Sequence, residues 1–340
     1  MNSIEFASIN TEISLRERTF FSQEQLEQLL QAKSNEEVAL LLQGTPYELS
    51  AVALDDHQQI EQVLMRALAQ EYQFAYEQAP NQQIVDGLAL KYVYHNLKVL
   101  LKMRAVEQDF SDLLIPIGAY SMEQLRQLAL TLDSEAADAL LVEEVQQTWS
   151  EYSDYQTTVA IDVGMDSAYF RQLRQIADQT DEPVFAQFII GLIDFFNAIT
   201  VKRALDQNQP NSFMYQLLSR KGSVSARDMI EYGRQGQWES WFHRVNQLPY
   251  AKAFDPYIAK MQSGDLTAFD LEKMRDVYLM LLLQPAQYEA IGVLAVVRYL
   301  YGKEMEVLNL RLILTGRANR LVPERLVERM RPSYYGNDSL

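Results

Sequence analysis

The stretch His95-Asn96-Leu97-Lys98-Val99-Leu100-Leu101-Lys102-Met103-Arg104 places an asparagine in a helix-forming run with bases around it. Two other stretches repeat the pattern: Phe196-Asn197-Ala198-Ile199-Thr200-Val201-Lys202-Arg203 and Leu308-Asn309-Leu310-Arg311-Leu312-Ile313-Leu314-Thr315-Gly316-Arg317. At 3.6 residues per turn, the residues four and eight before each asparagine share its face: Tyr92 and Leu88, Ile193 and Ile189, Met305 and Tyr301. Leu100, Val201 and Ile313, four residues later, continue it. Each asparagine thus lies on an apolar face, where an unmet carboxamide group costs about 1–3 kcal/mol. Asn96, Asn197 and Asn309 are therefore expected to bond exposed backbone groups of a neighbouring turn or helix end and to mark three related units.

Working outward, each asparagine follows an aspartate at an expected helix start by 31 to 40 residues: Asp56, Asp166 and Asp270. The asparagines are 101 and 112 residues apart, close to one third of the 340-residue chain. Apolar residues recur at helical spacing elsewhere, as in Ile60, Val63, Leu64 and Ala67, while period-2 runs are nearly absent. The expected fold is all-α, with helical units at 1–113, 114–226 and 227–340. Thirteen glycines and ten prolines are few for this length and imply long elements. Breaks are expected at Gly44-Thr45-Pro46, Pro80-Asn81, 116–118, Gly164, 207–212, Gly264 and Pro332, with a loose tail over 333–340.

Composition excludes several classes of chemistry. Without cysteine there is no disulfide framework, thiolate metal site or cysteine nucleophile. His57, His95 and His243 are scattered, and no phosphate-loop, dinucleotide, nucleophile-elbow or EF-hand motif is present. Lys221-Gly222-Ser223 and Gly302-Lys303 read as turn or helix positions. Forty-six acidic against thirty basic residues give a net charge of −16, which opposes binding to nucleic acid and to anionic headgroups. Residues 1–10 lack the pattern of a secretory leader. The apolar stretches 188–200 and 278–301 are interrupted by polar residues and do not read as bilayer spans.

One enzymatic candidate is Asp55-Asp56 with Glu61, since aspartate-rich helices can hold magnesium for diphosphate chemistry; Asp56 also has a sufficient role as a helix N-cap. Pairs such as Glu143-Glu144 read as solvated helix faces. The charge is uneven. Residues 1–113 hold 8 bases and 17 acids, 114–226 hold 7 and 15, and 227–340 hold 15 and 14. In the last third Arg298, Lys303, Arg311, Arg317, Arg320, Arg325, Arg329 and Arg331 form a basic set. Two readings stand: helix-surface ion pairs such as Arg320–Glu324 and Arg325–Glu328, or a docking face for an acidic partner centred on Arg317, Arg320, Arg325 and Arg329.

The run from Arg298-Tyr299-Leu300-Tyr301-Gly302-Lys303-Glu304 through Asn309-Leu310-Arg311 to Thr315-Gly316-Arg317, followed by Leu321-Val322-Pro323-Glu324-Arg325-Leu326, resembles the C-terminal signature of the C subunit of V-type (A/V-type) ATPases, a relative of the d subunit of eukaryotic V-ATPases. Tyr94-His95-Asn96-Leu97-Lys98 and Asp194-Phe195-Phe196-Asn197 resemble the earlier repeats of that family. The resemblance implies a pseudo-threefold, all-helical funnel with no catalytic, cofactor or metal site. It would join the central shaft, made of the D and F subunits, to the membrane proteolipid ring, as a peripheral part of the complex at the cytoplasmic face. Ion movement coupled to ATP hydrolysis or synthesis would be the activity of the whole complex. The rival readings are a peptide-binding helical scaffold, whose repeats would be shorter than the spacing here, and the magnesium-dependent helical enzyme.

Overall fold

Short polar residues set where many of the helices begin. Ser22 and Ser121 each close a reciprocal capping box with Gln25 and Gln124, while Ser34 and Ser225 accept from backbone N–H groups three residues on. Pro183 stands in the first turn of its helix, where a missing N–H costs nothing. A computed structural model describes residues 3–335. Among the described residues all regular structure is helical, as the periodicity predicts.

The chain packs as two compact units. The first, Met1–Gln82 with Leu248–Phe254 and Asp276–Leu340, includes α1 (Ala7–Arg16), α2 (Gln23–Gln31), α3 (Asn35–Leu42) and α4 (His57–Gln78). The second, Gln83–Gln247 with Asp255–Arg275, includes α5 (Gln83–Val106), α6 (Met122–Thr131), α7 (Ala139–Tyr155), α8 (Thr158–Gln179), α9 (Pro183–Asp206), α10 (Asn211–Leu217), α11 (Ala226–Arg234), α12 (Trp238–Val245) and α13 (Asp255–Ser263). The division falls within α14 (Ala268–Leu282), and the first unit is completed by α15 (Leu294–Ala318) and α16 (Pro323–Val327).

In the first unit α15 lies along α4, and Leu300, Leu310 and Ile313 meet a core that includes Leu64, Leu68 and Tyr72. In the second, α8 packs against α5, α7 and α9. Gly164, expected as a break, lies inside α8. A Cβ there would meet Thr148 Oγ1 at 2.5 Å, so the residue allows α7 and α8 to approach closely. Asp166, expected at a helix start, also lies within α8, whose cap is Thr157. By length and composition alone α9 is long and apolar enough to cross a membrane. Its Phe185, Phe188, Ile189, Ile193, Phe195 and Val201 are instead buried within the unit. The tail is not loose where it is described: Tyr334 is buried and stacks on Phe20. Residues 336–340 lie outside the described residues.

Candidate functional site

The three asparagines make one interaction, three times. Asn96 Nδ2 donates to the Ile115 carbonyl at 2.6 Å while its Oδ1 accepts from the Ile115 N–H at 2.8 Å. Asn197 does the same with both groups of Ser219 at 2.9 Å, and Asn309 with Arg331 at 3.1 and 2.7 Å. All three carboxamides are buried, and each supplies a donor and an acceptor to one residue that no helix serves. Eleven residues after each asparagine comes a non-glycine residue in the left-handed region: Glu107 (φ 54°), Asn208 (φ 54°) and Arg320 (φ 58°). At Asn208 and Arg320 the helix closes with the paired bonds of a Schellman motif, Asn208 N–H to Leu205 and Gln209 N–H to Ala204, Arg320 N–H to Arg317 and Leu321 N–H to Gly316.

The start of each preceding helix recurs as well. The side chain of Asp56 accepts from the N–H groups of Gln58 and Gln59, Thr157 from Val159, and Thr267 from Asp270. These caps precede their asparagines by 40, 40 and 42 residues, so Thr157 in place of Asp166 makes the spacing nearly uniform. Five residues after each cap stands an acid: Glu61, Asp162 and Glu272. Glu61 pairs with Arg311 in two bonds of 2.7 Å, Asp162 with Lys102 at 2.7 Å, and Glu272 with Arg203 at 2.5 Å. The bases stand two or six residues after an asparagine. In each pair the base follows a different asparagine from the one that the acid's cap precedes.

The bridged loops press on the helices at a fixed offset. Three residues past the bridged residue stand Gly118 and Gly222, where a Cβ would strike Val93 and Asp194 respectively, each three residues before its asparagine. Asp194 is buried, accepting from the Ser223 N–H at 2.8 Å and its hydroxyl at 2.5 Å; burial pushes its carboxyl above the usual range against those bonds. In the third case Tyr334 occupies the loop position and the helix gives way instead, at Gly302.

Around Gly302 the first unit holds a buried polar core. Lys303 and Glu306, 2 % and 4 % exposed, pair at 2.9 Å, and Glu306 also accepts from the Phe21 N–H and the Tyr47 hydroxyl, both at 2.7 Å. The ammonium lies 4.0 Å from the centre of the Phe20 ring. Burial first, and the Glu306 charge next, push the Tyr47 phenol well above its ordinary range, so it remains a donor. Tyr72 donates to Glu304, and Tyr299 donates to Glu71, which also holds Arg16. Arg298 lies over the Tyr334 ring and pairs with Glu17, which accepts from the Tyr334 hydroxyl. Arg331 and Tyr301 converge on the buried Asp276 at 2.9 Å each. The N-terminal segment, α15 and the segment 331–334 are thereby tied together within one unit.

A family model described as the ATP synthase (C/AC39) subunit matches residues 9–329. The chain belongs to this family. Among its relatives, the V-type sodium ATPase C subunit of Enterococcus hirae is 30 % identical over 332 residues, covering 97 % of this chain and 99 % of that protein. The A-type ATP synthase C subunit of Methanocaldococcus jannaschii is 22 % identical over 357 residues, 94 % of this chain and 85 % of its own. Membership makes this C/AC39 chain a subunit of a V/A-type ATPase complex.

Within this C/AC39 chain the basic set of the last third divides. Arg298 and Lys303 are buried, and Arg311 and Arg331 are paired, so these four do not form a basic surface. Arg317 is half-buried with Nη1 3.4 Å from the Leu30 carbonyl in the last turn of α2. Arg320, Arg325 and Arg329 are exposed. The expected pairs Arg320–Glu324 and Arg325–Glu328 do not form among the described residues. Glu61 and Asp56 are engaged as above, and Asp55 accepts from Asn35 at 2.9 Å. Glu144, read as solvated, is buried and held by Arg171. Sequence reasoning missed the caps Thr157 and Thr267, which serve where Asp166 and Asp270 were expected, and the pairings of Asp162 and Glu272; near-equal spacing from the asparagines is the signal that could find them.

Gly302→Ala tests the packing at Tyr334. The new methyl collides with a ring held between Phe20 and Arg298, so the substitution is expected to cost about 1–3 kcal/mol in urea unfolding. An unchanged midpoint would mean that the tail is not packed there.

Proposed function

We propose that this protein is the non-catalytic central-stalk adaptor of a bacterial or archaeal V-type ATPase, coupling the D and F subunits of the shaft to the membrane proteolipid ring from the cytoplasmic face. The observation that carries the reading is the constellation repeated three times: cap, acid five residues on, asparagine, left-handed stop and bridged loop. It supports three helical units, near 1–113, 114–226 and 227–340, with one internal design.

The order of the ion pairs supports a cyclic arrangement of those units. Asp162 of the second pairs with Lys102 of the first, Glu272 of the third with Arg203 of the second, and Glu61 of the first with Arg311 of the third. A pseudo-threefold funnel needs such a returning pattern. Mechanically, an adaptor between a narrow shaft and a wide ring must pass torque without shearing internally. Close-packed helices, each locked to its own loop by a buried carboxamide, resist that shear. The role asks for no bound cofactor and no reacting group.

The reading is tested by reconstituting the ATPase from shaft, catalytic head, proteolipid ring and stator with and without this chain. Omission is expected to leave ATP hydrolysis by the head intact and to abolish ATP-driven ion transport into vesicles. Full transport without the chain would overturn the reading.

A further inference from the structure

The three longest helices, α5, α9 and α15, each run out into a left-handed residue, yet the loops beyond the three stops differ in chemistry. Residues 107–115 hold Glu107, Asp109 and Asp112 and no base. Residues 208–219 hold no charge, and residues 320–331 hold four arginines against Glu324 and Glu328. The backbone requires the same thing at all three corners: a left-handed residue, then a loop that returns to the asparagine. The fold therefore does not dictate the difference in charge.

The third corner is also rigidly presented. Leu326 is buried against Gly316, where a Cβ would meet its Cδ2 at 2.5 Å, so one side chain pins α16 to α15. Its outward side shows Leu321, Val322 and Val327, at 44 %, 52 % and 54 % exposure. Beside them stand Arg320 and Arg325, exposed and without an ion pair among the described residues. Apolar residues clustered with unspent guanidinium groups form a surface that water serves poorly and a carboxylate-bearing apolar segment serves well. The sequence to residue 226 carries a strong negative charge, 15 bases against 32 acids, which repels such a segment elsewhere and favours this corner.

We propose that the α16 corner, through Arg320, Arg325, Leu321, Val322 and Val327, docks an acidic, amphipathic segment of a neighbouring subunit of the ATPase. The proposal rests on the adaptor reading and adds to it one point of attachment and its chemistry. The test uses the full chain and an ATPase complex stripped of it, with rebinding followed by sedimentation across salt. Wild type is expected to rebind, and to weaken about tenfold between about 0.05 M and about 0.5 M salt. R320E/R325E is expected to rebind at least about tenfold more weakly and to lose most of that salt dependence. V322S/V327S is expected to weaken binding with the salt dependence retained. E107K, at the matching position of the first corner, is expected to bind as wild type. Thermal melts confirm that each variant is folded; because all the changed side chains are exposed, melting points within about 2 °C of wild type are expected.

Equal rebinding by wild type and R320E/R325E overturns the inference and leaves the adaptor reading standing. Failure of wild type to rebind overturns both. Binding of wild type to phosphatidylglycerol vesicles, lost in R320E/R325E, would assign the corner to lipid and overturn the inference. Self-association of the isolated chain, lost in the same variant, would assign it to a second copy with the same result.

Discussion

Glu306→Ala is expected to destabilise the first unit by about 3–5 kcal/mol, among the largest effects of any single substitution in the protein. The loss has two sources. Glu306 is the common acceptor for the Phe21 N–H, the Tyr47 hydroxyl and the Lys303 ammonium, all at 2.7–2.9 Å. Removing it leaves a backbone donor and a phenol unmet and, more seriously, an ammonium that is 2 % exposed without its counter-ion. The cation–π contact to Phe20 offsets only about 1–2 kcal/mol of that cost. The double variant K303M/E306Q separates the sources. Glutamine keeps an oxygen for the Phe21 N–H and turns its NH2 to the Tyr47 hydroxyl oxygen, which accepts in place of donating; methionine fills the lysine's volume, and no charge is buried. Most of the lost stability is expected to return, because a buried pair replaced as a unit is often nearly neutral. Urea unfolding of the single and double variants measures this. A double variant as unstable as Glu306→Ala would show that the charges themselves stabilise the unit.

Asn197→Leu is expected to cost about 3 kcal/mol and to lower the Tm of the second unit by about 6–12 °C. Leucine matches the apolar surroundings but abandons the N–H and carbonyl of Ser219, a residue that is itself buried. The same change at Asn96 or Asn309 is expected to cost about half as much, because Ile115 and Arg331 are half-buried and water can serve part of the exposed peptide. The ranking distinguishes this mechanism from a general intolerance of leucine. Equal effects at all three positions would mean that the bridged peptides do not decide the cost. A silent Asn197→Leu would mean that the carboxamide is dispensable.

What could be read from the sequence was what lies within one helix. Helical periodicity put the three asparagines on buried faces, and their need for partners pointed to backbone groups nearby. The partners lie only 19 to 22 residues further on, close enough for a local inference. Where the decisive neighbour is remote, the local pattern misleads. Glu61 groups locally with Asp55 and Asp56, while its partner in the fold, Arg311, is 250 residues away. Arg298 and Lys303 read as surface bases because charge predicts exposure, and only the folded chain brings Glu17 and Glu306 to them. Thr157 is harder to read as a cap than Asp166, because a hydroxyl carries no charge to mark it, although the two serve equally at a helix start. Gly164 reads as punctuation, but nothing local distinguishes a glycine that ends a helix from one that lets two helices touch.

The recurring stops have a consequence for where this chain tolerates a change of length. From asparagine to left-handed residue the count is eleven in all three segments, whereas from that residue to the bridged peptide it is eight, eleven and eleven. One residue added to the first interval would swing the helix end by about 100° and aim the returning loop away from its asparagine. One residue added to the second, outside α10 and α16, lengthens an arc whose ends are already held, at an entropic cost of a few tenths of a kcal/mol. Helix counts therefore act as a gauge and loop counts as slack. The corners after Glu107 and Asn208 are the places where a tag or spectroscopic label can be inserted without turning either helix out of register.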